Sequence, residues 1–134
     1  MKMQSAGLFL MGTILLLQSC APDNSTTGDD RDQFVGSWTC RDSSKTSGDV
    51  QPLYSVNITK VGADDTIKIT NFYNLGGSTS VKAIVSSTSL VIPSQNDDGF
   101  LISGSGVLSN SALNINYSAT LGSNTDNGQA RYTR

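Results

Sequence analysis

From Phe34 to Arg134 the apolar residues recur at every second position, and this period of two restricts the chain to β-structure. Tyr54, Val56 and Ile58 alternate with Ser55, Asn57 and Thr59. Leu113, Ile115 and Tyr117 alternate with Asn114, Asn116 and Ser118. Side chains on successive strand residues point to opposite faces, so such runs predict half-buried strands. Eight are expected, near residues 34–41, 53–60, 65–72, 79–86, 88–93, 99–109, 111–120 and 128–134. Turn-rich clusters such as "GADD", "NLGGS", "QNDDG" and "GSNTDNG" separate them. Short connections imply sequential antiparallel hairpins. Closing eight strands on themselves removes two exposed edges. The fold class is therefore all-β, a small eight-stranded antiparallel up-and-down barrel, with an open β-sandwich as the alternative. Gly104 and Gly106 fall on the inward phase of the longest strand, where glycine suits a bend or a close backbone approach.

Composition narrows the chemistry. The chain has 134 residues, no His, and eleven acidic residues that are all Asp. Without histidine the commonest general base and metal ligand are missing, and Ser-His-Asp triads are excluded. No nucleophile–base pair stands out, so no enzyme, cofactor or metal centre is expected. A net charge of −2 gives no footprint for nucleic acid.

The N-terminal stretch sets location. Lys2 precedes an apolar run from Ala6 to Leu17. A membrane-spanning helix needs about 20 apolar residues, whereas this run has the size of a signal-peptide core. It ends Leu17-Gln18-Ser19-Cys20. This resembles the lipobox of bacterial lipoproteins, with an aliphatic residue at −3, a small one at −1 and then cysteine. The resemblance implies that 1–19 is a lipoprotein signal peptide cleaved between Ser19 and Cys20. It also implies acyl chains on Cys20, a membrane as partner through that anchor, and, with Ala21 following, an outer-membrane destination in the cell envelope.

Residues 20–33 follow as lipidated cysteine and tether. "APDNSTTGDDRDQ" contains no large apolar residue and four Asp against one Arg. Such a segment cannot bury enough surface to offset its ordering entropy, so a flexible linker is expected. Its acidity resembles the surface-export signals of some envelope lipoproteins, and a plain solvated linker reads equally well.

The domain proper spans 34–134. Its first strand reads "FVGSWTC", and Gly36-Ser37-Trp38 resembles the G-x-W motif that lipocalin-like barrels keep on their first strand. In that family an arginine from the last strand packs across the tryptophan. Arg131 and Arg134 are the two arginines available, and Arg134 shares the phase of Ala130 and Tyr132. The chain is shorter than true lipocalins, so a filled or shallow interior is expected in place of a deep cavity.

Other residues have both a chemical and a structural reading. Cys40 points inward as a reactive thiol or, better, a buried small hydrophobe. Asp64-Asp65 and Asp97-Asp98 are paired carboxylates that read as turn residues. "SQNDDG" carries hard oxygens that a calcium ion takes but lacks EF-hand spacing. Asp65-Thr66-Ile67 resembles an O-glycosylation sequon of envelope proteins, with Thr66 the acceptor. Phe72-Tyr73 breaks the alternation, so one ring is expected outside. With Asn71 and Asn74 it forms either a surface binding patch or a β-bulge. The sequence thus reads as an envelope lipoprotein that binds a glycan, a small hydrophobic ligand or a protein. A protease inhibitor and a hydrophobic-ligand carrier are the alternatives.

Overall fold

A computed structural model describes residues 28–134; Ser19 and Cys20 lie outside the described residues. Eight strands follow one another around a closed barrel: β1 Gly36–Ser44, β2 Tyr54–Lys60, β3 Thr66–Thr70, β4 Ser80–Ser86, β5 Ser89–Asp97, β6 Phe100–Ser109, β7 Ala112–Leu121 and β8 Asn124–Thr133. Each pairs antiparallel with its neighbours in sequence. β1 closes the ring by pairing with β2 through Gly36–Cys40 and with β8 through Thr39–Ser44. The barrel, not the sandwich, is the architecture.

Period two puts the apolar set inside. Buried side chains from all eight strands form one continuous cluster, including Trp38, Ile58, Ile69, Leu90, Ile115 and Tyr132. The interior is filled. Gly104 and Gly106 mark close approaches, as their phase implies. A Cβ at Gly104 would stand 2.6 Å from the Asn116 carbonyl oxygen, and one at Gly106 would stand 2.9 Å from that of Asn114.

Three strand limits differ from the alternation. β1 runs on to Ser44 and β5 to Asp97, past a register shift between Ile92 and Gln95 that accommodates Pro93. Proline cannot donate to the ladder, so the strand continues only after the irregularity. β8 begins at Asn124, inside what reads as a turn cluster. Its inward positions there are Asp126 and Gly128, which hide the strand from a hydrophobic pattern.

The two barrel ends are built differently. At one end, residues Asp30–Gln33 form a 3₁₀ turn that closes the barrel floor. This corrects the reading of 20–33 as a free linker over its last six residues. The segment has almost nothing apolar to bury, yet Arg31 is only 6% exposed. Its guanidinium bonds the Asp29 carboxylate at 2.6–3.0 Å and the carbonyls of Val61, Gly62 and Thr66 at 3.1–3.3 Å. Arg31, first of all through its hydrogen bonds, holds the Asp29 carboxyl well below the usual carboxylate range, and Lys60 adds to the effect at 3.1 Å. Gln33 and Asp30 tie the turn to Ser87 at 2.6 and 2.9 Å. Charge-assisted hydrogen bonds order this segment, a term that composition does not report.

Above that floor, Trp38 Nε1 donates to the Phe34 carbonyl at 2.7 Å. The Arg134 guanidinium lies 4.0 Å from the Trp38 ring centroid. Arg134 also donates to the carbonyls of Val35 and Gln33 at 2.8 Å. Gly36 sits at φ 129°, and a Cβ there would press on Arg134 Nη1 at 3.1 Å. Of the two arginines, Arg134 covers the tryptophan; Arg131 is exposed on the outer wall, bonded to Asn114.

Candidate functional site at the barrel mouth

The opposite end is a mouth ringed by residues 45–53, 71–79, Asp98–Gly99 and Gly122–Ser123. Just inside it the apolar interior gives way to carboxylates and phenols. On β1 the inward phase that holds Trp38 and Cys40 continues to Asp42, which is 2% exposed. Tyr54 of β2 donates its hydroxyl to Asp42 Oδ2 at 3.0 Å. Tyr117 of β7 donates to Asp42 Oδ1 at 2.5 Å.

Tyr117 reaches Asp42 across β8 because Gly128 leaves the path open. Tyr117 pairs with Gly104 on one side and Gly128 on the other. A Cβ on Gly128 would lie 2.2 Å from the Tyr117 hydroxyl. A second carboxylate, Asp126 of β8, accepts from Tyr73 at 2.7 Å and Ser44 at 2.5 Å. Asp42, Ser44, Gln51, Tyr73, Asn74, Tyr117 and Asp126 line a cleft of about 260 Å³.

Burial pushes the Asp42 carboxyl above its ordinary value, and Asp126 adds to the shift, against the two phenols that favour its charged form. Burial raises Tyr117 and Tyr54 as well. All three therefore favour protonation. Folding thus favours protonated Asp42, so its contribution to stability is complete below the ordinary carboxylate pKa and is lost as pH rises through the raised value. In Asp42→Asn this contribution is absent. The stability of the native chain relative to that variant is expected to fall as pH rises above the ordinary carboxylate value of about 4. Urea midpoints across that rise measure it, and a difference that grew with pH would contradict the assignment.

The segment 71–74 departs from its sequence reading. Asn71, Tyr73 and Asn74 have φ of 63°, 57° and 56°. These left-handed residues wind the chain into a short 3₁₀ turn, Phe72–Asn74, that folds both rings over the mouth. Phe72 is buried and meets Tyr117 edge-on at 5.6 Å. Tyr73, half-buried, stands edge-on to Phe100 and Tyr117 at 5.5 and 5.4 Å. Asn71 spends its amide on the Ser55 carbonyl and the Gly76 N–H. No outward aromatic patch forms. Tyr73 and Asn74 contribute instead to the cleft.

The remaining candidates fall elsewhere. Cys40 is buried, and burial pushes its thiol up to about 12, as befits a core residue. Thr66 opens β3, its N–H bonded to Asp64 at 3.0 Å in the turn before it. Asp98 and Gly99 make the β5–β6 turn, both at positive φ. Among the described residues no group of three or more acidic or cysteine side chains is placed to hold a metal ion.

Asp42, Asp126 and Gly128 carry no mark in the sequence, since their roles arise only when β1, β7 and β8 meet. The fold defines a closed up-and-down β-barrel with a filled interior and a polar mouth. Comparison with protein-family models, with curated proteins and with solved structures finds no match to this chain.

Proposed function

We propose that this chain is a lipid-anchored cell-envelope binding protein, a lipocalin-like barrel whose mouth takes a hydroxyl-rich ligand such as a glycan residue. One observation carries the ligand reading. Every hydroxyl proton around the cleft is already donated to a carboxylate: those of Tyr54 and Tyr117 to Asp42, those of Tyr73 and Ser44 to Asp126. What the carboxylates offer toward the opening is acceptor capacity, beside the Tyr73 ring and the amides of Gln51 and Asn74, which both donate and accept. A ligand that brings many donors and a flat apolar face suits that lining.

The filled interior supports surface binding over carriage of a hydrophobic ligand. The docking of residues 28–33 supports it over protease inhibition, since that segment is held on the barrel floor and is not free to act as a plug. The anchor rests on the lipobox resemblance at Leu17–Cys20, with the outer membrane as its destination.

A glycan array probed with the full chain is expected to give binding that Asp126→Asn weakens about tenfold, the size of a lost charge-assisted hydrogen bond. Binding that ignores Asp126→Asn and Tyr73→Ala would remove the cleft from the proposal. Membrane fractionation of Cys20→Ser tests the anchor separately. Intact mass reads both the lipid on Cys20 and any glycan on Thr66.

A further inference from the structure

Arg131 is the arginine that the tryptophan does not use, and barrel closure gives it a different neighbour. In the β1–β8 register it stands directly opposite Arg41. Both point outward and both are exposed. Like charges directly opposite on adjacent strands repel. Among the described residues neither arginine forms an ion pair; the ion pairs there involve Arg31 and Lys60.

The surroundings are shaped as well as charged. Residues 45–53 fold back along β1: Ser44 N–H donates to the Asp49 carbonyl, Gln51 N–H to that of Asp42, and Ser43 bridges Val50. This sets Val50 and Leu53 beside Arg41. At 62% and 59% they are the most exposed large apolar side chains among the described residues. Arg41 and Arg131 both line each of two clefts. One, of about 380 Å³, holds Val50, Asn114 and Gln129; the other, of about 320 Å³, holds Leu53. Arg131 bonds Asn114 Oδ1 at 3.2 Å through one nitrogen, which orients its fork and leaves its other N–H donors free.

We infer that Arg41 and Arg131 form a binding site for a phosphoryl group, with Val50 and Leu53 receiving an apolar portion of the same molecule. Two planar forks carrying fixed charge match phosphate oxygens bidentately, and carboxylates less fully because they offer only two. The phosphoryl group relieves the repulsion between the arginines. The adjoining apolar side chains distinguish a phosphorylated lipid headgroup from free phosphate. This site lies on the outer wall, separate from the mouth cleft, and does not depend on the lipid anchor.

Lys68 and Lys82 provide an internal control. They too are paired directly opposite, on β3 and β4, so neutralising both removes two positive charges from a different wall, more than either single arginine substitution does. Isothermal titration uses the full chain carrying Cys20→Ser, with inorganic phosphate and a short-chain phosphatidic acid as probes. Arg41→Gln and Arg131→Gln are each expected to weaken binding at least about tenfold, and Arg131→Lys to restore only part of it. The Lys68→Gln, Lys82→Gln pair is expected to leave affinity unchanged. Tighter binding of the phosphatidic acid, reduced by Leu53→Ser, assigns the site to a lipid headgroup. Equal affinity for both probes overturns the role given to Val50 and Leu53 and leaves a site for free phosphate alone. Binding that survives both arginine substitutions, or that the lysine pair weakens as much, overturns the proposal.

Discussion

Replacing Trp38 with alanine is expected to lower unfolding free energy by about 3–5 kcal/mol, the range for deleting a large buried aromatic. Small domains have about 5–15 kcal/mol in total, so this one change should bring the barrel near its unfolding threshold. Trp38 is 2% exposed and bonded to the Phe34 carbonyl, and it supports the guanidinium that holds Gln33 and Val35. Its loss opens a cavity and releases the floor together. Arg134→Ala removes only the cation–π contact and its two carbonyl bonds, and should cost about 0.5–2 kcal/mol. Arg131→Ala, on the open wall, should stay within about 0.5 kcal/mol. Urea denaturation of the three variants ranks them. If Arg131→Ala cost as much as Arg134→Ala, the pairing across the tryptophan would be misassigned.

Gly128→Ala is the second large effect, expected at about 1–3 kcal/mol from overpacking. The new methyl would stand 2.2 Å from the Tyr117 hydroxyl and 2.3 Å from its Cζ, so the ring must leave its path across β8. Asp42 then loses one of its two phenol donors while it remains buried. The mechanism requires strong coupling. In a Tyr117→Ala background the methyl meets no ring, and most of its cost should vanish. A double-mutant cycle by chemical denaturation gives the coupling directly. Simple additivity of the two substitutions would show that the cost arises from backbone conformation at Gly128 and not from the crossing phenol.

What the sequence makes legible follows from locality. Alternation such as Tyr54-Val56-Ile58 is written in neighbouring residues, so the strands and their inward phase can be read in advance. The covering of Trp38 by an arginine of the last strand is not local, and it is expected only from the resemblance at Gly36-Ser37-Trp38. The mouth cannot be read that way. Asp42 meets Tyr117 through side chains 75 positions apart, and nothing near either residue announces the other. Asp126 and Gly128 look like turn residues because a strand whose inner face is polar loses the hydrophobic half of its pattern. Residues 28–33 fail for another reason: an apolar count does not see a guanidinium that satisfies three carbonyls of the β2–β3 turn. At Phe72-Tyr73 the broken alternation is real. It reports left-handed backbone that carries both rings inward, where a strand would have left one outside.

The pairing of the first strand with the last has a temporal side. Cys40 is opposite Tyr132 in the closing register, and both are fully buried. Until β8 arrives, the thiol lacks that cover, and the desolvation that keeps it from ionising is incomplete. A nascent or truncated chain therefore carries a cysteine open to modification, and a finished one carries a sealed thiol. Each molecule holds its own reporter of completion: the loss of Cys40 reactivity follows the moment the last strand seals the ring.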